Sequence, residues 1–537
     1  MQIIKFCNKF FYNNKISFLL YIFLTLIISL LRVSIPYIIG KFIDILSLSF
    51  SYNSIYNYCI LFFLVNLLKI IFEYLQSVLF IKVQTSTAFN INSYILNHIK
   101  KIPISFFNKT DISYLNQRIN ADSNSIVIFT INIFSDILTN SIILIFVIGL
   151  LIKINFSIIF VILFLVISYI ILYFSMKKVL YKNNYMFKES QANFFSKLHE
   201  QLYNTKFIKL HSVFNFFENR LTNSYLKLFK ISIKTNKVHF LFKSIEESLT
   251  LSSQCLLLFL GALAVVNGSI TIGLFTIISN YFNMLLNSLK YFIGVFQNYQ
   301  ENLVSFNRIQ DILKIPKETN GQDILDDIIS IELKNIKFNH GKSIVFNDYS
   351  YKFEKGNIYF IVGQNGCGKS TLIDILLGIH IDEFQGDILY NNSSIKNIDL
   401  YKLREENIGI VEQEPLLVSD TIFNNLKLIN KSCNEDKINY LLNYFDIYDI
   451  KDKIVQENST NLSGGEKQKI SIIRELLKNP SLIIFDEPTS ALDKKSKIKF
   501  YKLIEELNSD KSKLIIIITH DKELIDLSNN IIVLDNN

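Results

Sequence analysis

Nine consecutive residues, Gly363-Gln364-Asn365-Gly366-Cys367-Gly368-Lys369-Ser370-Thr371, fit the spacing G-x-x-x-x-G-K-[ST]. Glycines at these places let backbone N–H groups turn inward around a row of phosphates, and a helix start adds a favourable dipole. Lys369 is placed to reach the outer phosphates, and the Ser370 hydroxyl to ligate Mg²⁺. The flanking patterns supply the positioning elements. The apolar run Ile358–Val362 predicts a strand entering the loop, and Leu372–Leu377 predicts a helix leaving it.

A second anchor is Leu482-Ile483-Ile484-Phe485-Asp486-Glu487. Four apolar residues in a row suit a parallel strand buried on both faces. Asp486 at its end is suited to hold Mg²⁺ through water, and Glu487 to take a proton from attacking water. The third anchor is Leu462-Ser463-Gly464-Gly465-Glu466-Lys467-Gln468, where Ser463 is a good N-cap before the helical spacing of Ile470, Ile473 and Leu477. Ser463, Gly464 and Gly465 make another anion site at a helix start. Two such elements in one domain predict that the second serves nucleotide held by another subunit.

The rest of the chain must place these groups. Half of the 537 residues are hydrophobic and 19% are charged, and the mean hydropathy of +0.29 is high enough to predict membrane spans. Five cysteines, Cys7, Cys59, Cys255, Cys367 and Cys433, form no C-x-x-C pair, so neither a zinc site nor a disulfide framework is predicted. Cys367 differs because it sits in the glycine loop. Alkylation there is expected to block nucleotide binding, with ATP protecting.

Six runs are long enough to cross a bilayer: Ile16–Gly40, Tyr58–Ile81, Thr130–Ile152, Phe156–Met176, Ser248–Val266 and Ile270–Phe296. Lysine and arginine alternate between loops. They precede the first run and fill the second and fourth connections, whereas Leu46–Asn57 and Asn267–Ser269 carry none. The positive-inside rule therefore puts the N-terminus, both long loops and everything after the sixth run in the cytoplasm. The +8 net charge is accounted for by these loops and needs no nucleic acid. Polar stripes cross two runs: Asn66, Lys69 and Glu73, and Asn280, Asn283, Asn287 and Lys290, with Arg32 and Asp136 as singletons. Each is read as either inter-helix bonding or the wall of a wet cavity. Residues 313–328 read as a polar linker, with Pro316 and Asn320-Gly321. Beyond it, strands and helices alternate. The predicted fold is multidomain: an all-α six-helix transmembrane domain, residues 1–312, then an α/β phosphate-loop nucleotide-binding domain, residues 329–537.

On these motifs together, the chain resembles the half-transporters of ATP-binding cassette exporters over nearly its whole length. The resemblance identifies Gly363–Thr371 with the Walker A loop, Leu482–Asp486 with the Walker B strand and Leu462–Gln468 with the family signature, Glu466 standing where Gln is usual. It implies that Glu487 is the catalytic glutamate and His520 the switch histidine. Gln413 becomes the Q-loop glutamine that senses Mg²⁺, and Ser490–Asp493 the D-loop. Glu457 falls in the segment that faces the coupling helices, expected near Asp111–Arg118 and Tyr203–Ser212. The family's adenine-stacking tyrosine is replaced by His340. The resemblance further implies ATP and Mg²⁺ as ligands, and pairing with a second copy or a paralogous half-transporter. It implies residence in a lipid bilayer, the bacterial plasma (inner) membrane, and no nucleic-acid partner. The implied activity is ATP-driven export of a peptide, toxin or drug-like molecule by alternating access, or flipping of a lipid or lipid-linked cargo.

Overall fold

The computed structural model describes residues 2–534 apart from 12–13, 49–51, 111–114, 117, 155–157, 341–342, 430–433, 457–458 and 528–529. Cys433, Glu457 and most of the expected docking segment Asp111–Arg118 lie outside the described residues. The chain divides into two compact units, one of residues 1–102 and 107–316 and one of residues 103–106 and 317–537.

Long helices dominate the first unit: Lys15–Leu48, Tyr52–Ile99, Ser123–Ile154, Ile158–Tyr203, Phe214–Val266 and Ile272–Leu313. The longest has 53 residues. At 1.5 Å per residue such a helix reaches about 80 Å, far beyond the roughly 30 Å hydrocarbon core. The excess therefore projects into water, which is how the two long basic connections become rigid extensions. Five described helices are long and apolar enough to cross a membrane, within Lys15–Ser47, Tyr52–Ile99, Arg118–Gly149, Phe214–Val266 and Ile272–Phe292. The expected run Phe156–Met176 overlaps the helix Ile158–Tyr203, and part of it lies outside the described residues. Large apolar side chains such as Phe63, Ile70 and Phe259 face outward, as lipid-exposed helices require. In the expected docking segment Tyr203–Ser212, a short helix, Thr205–His211, turns the chain around.

Helix contacts have local causes. Gly40 and Gly273 let two backbones touch: a Cβ on Gly273 would stand 2.2 Å from the Gly40 carbonyl oxygen. The Gly273 N–H donates to Asp44 at 2.9 Å, so this acid helps cap the last long helix. Glu73 of the first polar stripe takes Arg32 from the neighbouring helix at 2.8 Å, with Lys69 3.9 Å away. Asn283 of the second accepts from Gln254 at 2.8 Å. Those stripe members therefore bond helices together. Toward one end, Arg308 is buried between Asp122 at 3.1 Å and Glu189 at 3.8 Å.

The second unit holds two sheets. The antiparallel one has the order β2-β1-β4-β5, from β1 (Ser330–His340), β2 (Ser343–Glu354), β4 (Gln385–Tyr390) and β5 (Ser393–Ser394). The parallel one has the order β6-β7-β8-β3-β9, from β3 (Ile358–Gly363), β6 (Ile408–Val411), β7 (Leu482–Asp486), β8 (Leu514–Ile518) and β9 (Ile531–Leu534). Every residue of β8 is buried, as are Leu482–Phe485 of β7. Helices cover the sheet, which is why these strands read as unbroken apolar runs rather than alternating ones.

Candidate functional site

In a parallel sheet every strand delivers its C-terminal end to the same edge, and ligands of such sheets bind there. Here that edge collects the residues singled out above. The glycine loop follows β3, Asp486 and Glu487 end β7, His520 lies two residues past β8, and Gln413 lies two past β6.

Within the loop, Gly366 and Gly368 take φ of +86° and +100°, a region costly for other residues. Gly368 caps the helix Lys369–Leu376, whose first turn carries Lys369, Ser370 and Thr371. The Lys369 ammonium donates to the carbonyls of Gly363 and Gln364 at 2.8 and 3.0 Å, folding its side chain back over the loop. Gln364 and Asn365 complete the turn. Cys367 is buried at 6% exposure, and its sulfur stands 2.7 Å from where a Cβ on Gly363 would lie. An ammonium, a helix start and open glycine amides suit a polyphosphate, so the residues present fit the nucleotide.

Beside the loop, the Ser370 hydroxyl meets the Asp486 carboxylate at 3.4 Å. Burial, and then the adjacent Glu487 carboxylate, push the Asp486 carboxyl above the usual range. A buried acid next to a second acid is stabilised by a cation, and this hydroxyl–carboxylate pair is the hard oxygen donor set that Mg²⁺ takes. Glu487 itself sits at φ +46°, its N–H tied to the Ile518 carbonyl at 3.0 Å and its carbonyl to the Ser490 hydroxyl at 3.0 Å. Gln413 Nε2 donates to Glu487 Oε2 at 2.8 Å, and His520 Nε2 lies 3.9 Å from Oε1. A strained, tethered backbone holding a carboxylate between an amide and an imidazole is an arrangement able to serve as a general base.

The second glycine element, Ser463–Gly465, is locally built. Ser463 caps the helix Gly464–Lys478, accepting from Glu466 N at 3.2 Å, while the Ser463 N–H and hydroxyl donate to the Glu466 carboxylate at 2.7 and 2.9 Å. Burial works against it, but these donors hold the Glu466 carboxyl below its ordinary value. The reciprocal cap is legible in the sequence as S-x-x-E, a role for Glu466 beyond its standing where Gln is usual. A Cβ on Gly465 would stand 2.9 Å from the Ala491 carbonyl oxygen, so the turn Ser490–Asp493 backs this element. Asp493 caps the helix Lys494–Ser509 by accepting from Ser496 N at 3.0 Å.

Thus Lys369, Ser370, Asp486, Glu487, Gln413 and His520 converge. Ser463–Gly465 share no hydrogen bond with residues 363–371 among the described residues. His340 ends β1 exposed, its ring 6.5 Å from that of Phe338.

Residues 18–289 match the ABC transporter transmembrane region, and residues 346–490 match the ABC transporter domain. The alpha-hemolysin translocation ATP-binding protein HlyB of Escherichia coli O157:H7 is 32% identical over 290 residues, 52% of this chain and 40% of that protein. An ATP-dependent lipid A-core flippase of Syntrophus aciditrophicus is 25% identical over 462 residues, 83% of this chain and 75% of the relative. Multidrug resistance protein 1 of Plasmodium falciparum is 31% identical over 297 residues, 44% of this chain and 21% of that protein. The chain thus spans less than half the length of two of these relatives. A solved bacterial Atm1-family ABC exporter with ATP bound shares the fold at a TM-score of 0.88 and 20% identity, covering 98% of this chain and 94% of that one.

Proposed function

From the premise that this chain belongs to the ABC transporter family, its membrane-region match covering about half the sequence, we propose that it is an ATP-driven exporter. It moves a peptide, toxin or drug-like molecule out of the cytoplasm by alternating access. The observation that carries the reading is the convergence of Lys369, the Ser370–Asp486 pair and the Gln413–Glu487–His520 cluster on one sheet edge. Residues 363–371 bind the phosphates of ATP, with His340 stacking on the base. Ser370 and Asp486 would hold Mg²⁺ and Gln413 would report on it; a bound ion there would supply neutralisation of phosphate charge. Glu487 takes the proton from attacking water and His520 orients the outer phosphate. Ser463–Gly465, with Asp493 behind them, complete the site of a second chain, so the working unit is a dimer, first of all of this chain with itself. Residues 1–312 form the membrane domain, 313–328 the linker and 329–537 the cassette of a protein of the bacterial inner membrane; the lysine-rich loops support a cytoplasmic cassette.

A second reading, a flippase of a lipid-linked cargo, is favoured by the relative that aligns with most of this chain. Purified protein in proteoliposomes, assayed for ATP hydrolysis and for movement of labelled peptides and lipids, separates the two. Absence of hydrolysis sensitive to both EDTA and Lys369→Ala overturns the exporter and the flippase alike.

A further inference from the structure

Between the helices Ser123–Ile154 and Ile272–Leu313 lies a pocket of about 300 Å³, lined by Phe129, Asn132, Asp136, Tyr291, Asn298 and Asn302 among others. That volume is at the lower end of small-molecule sites. We propose that it seats the cationic group of the cargo: the ammonium of an amphiphilic organic cation, held by Asp136 and packed against the rings of Phe129 and Tyr291. The inference rests on the export reading and adds the chemistry of what is exported.

A carboxylate within a membrane span is costly and persists where it serves a partner or a pathway. Asp136 takes one side-chain hydrogen bond among the described residues, from its neighbour Ser135 at 3.2 Å. Arg32 is close enough to act on it electrostatically, yet it bonds Glu73 at 2.8 Å and forms no ion pair with Asp136 within 4.0 Å. Lys290, the cation of the second stripe, lies within electrostatic reach of Glu246 on another helix. The ring of Tyr291 falls within the field of the Asp136 carboxylate, so a cation placed there meets a negative charge and an aromatic face together. Asn302 is committed to Ser125, whose hydroxyl donates to it at 2.7 Å, and to the Asn298 carbonyl at 2.8 Å. The carboxamides of Asn132 and Asn298 supply a polar rim, while Ile128, Ile133 and Val295 supply an apolar floor. An anion here meets repulsion. A neutral apolar group leaves the carboxylate dehydrated and unpaired.

The full chain in lipid nanodiscs is titrated with benzyltrimethylammonium and with its uncharged isostere neopentylbenzene, by equilibrium dialysis. The cation is expected to bind at least about tenfold tighter than the isostere. Asp136→Asn should bring that ratio close to one, and Asn298→Asp, which adds a second carboxylate to the rim, should widen it. Equal affinity of the wild type for both probes overturns the proposal, as does a ratio unmoved by either variant. Where Asp136→Asn fails to fold, the wild-type comparison and Asn298→Asp decide. ATP hydrolysis measured on the same nanodiscs keeps the two readings apart. Hydrolysis without cation preference sinks the pocket alone, and cation preference without hydrolysis sinks the exporter while supporting the site.

Discussion

Replacing Glu487 by Gln removes one negative charge and leaves the local scaffold untouched. The backbone bonds from Glu487 N to Ile518 and from Ser490 to the Glu487 carbonyl do not involve the side chain. The new amide still offers Gln413 an acceptor oxygen at the place where the carboxylate accepts at 2.8 Å. The φ of +46° costs the same for either residue. Stability should therefore move by less than about 0.5 kcal/mol, a shift of no more than roughly 2 °C in a domain of this size. Catalysis should fall far more. A positioned general base contributes about 10²–10⁴-fold, or roughly 2.7–5.4 kcal/mol at 1.36 kcal/mol per decade. In the proposed reading nucleotide binding relies on Lys369 and the loop amides, so the variant should retain ATP and accumulate as a closed dimer. Phosphate release, ATP retention through gel filtration and thermal unfolding measure the three quantities. Wild-type turnover by Glu487→Gln refutes the assignment of the base. Lost turnover accompanied by a melting point several degrees lower refutes the claim that only the charge matters.

Four further outcomes are expected. Lys369→Ala should lose ATP binding, read by retention of labelled nucleotide, because it deletes the ammonium folded over the loop. Ser463→Ala should destabilise the signature helix by about 0.5–2 kcal/mol, whereas Glu466→Gln, which keeps an acceptor for Ser463, should be close to neutral; equal melting points for the two variants overturn the reciprocal cap. Arg308→Met should cost up to about 3–5 kcal/mol in detergent by removing the guanidinium paired with a buried acid, since Asp122 is only 8% exposed, with the nearby charge of Lys188 offsetting part of that loss; a shift within about 0.5 kcal/mol denies that the pair is structural. Alkylation of Cys367 should be slow, because the thiol is buried, slower still with ATP, and should abolish nucleotide binding; full hydrolysis by stoichiometrically modified protein contradicts it.

Some of this was legible from residue order because the physics is local. A phosphate loop, an N-cap and a buried parallel strand are each set within about ten residues, so types and spacing suffice for Gly363–Thr371, Ser463 and Leu482–Asp486. Runs of apolar residues likewise predict membrane crossing, since the bilayer sets a length. Tertiary structure decided what those pieces meet. Only the strand order β6-β7-β8-β3 carries Gln413 to Glu487 and Ser370 to Asp486, pairs 74 and 116 positions apart. The polar residues of the spans show the same division. Helical periodicity marks which face of a helix is polar and is silent about which helix lies opposite. Glu73 was therefore an ambiguous stripe member until Arg32 stood against it, and Asp136 a singleton until Tyr291 closed the other wall of its pocket. Local propensity is written residue by residue, whereas partnership depends on how apolar faces pack, a property of the whole chain.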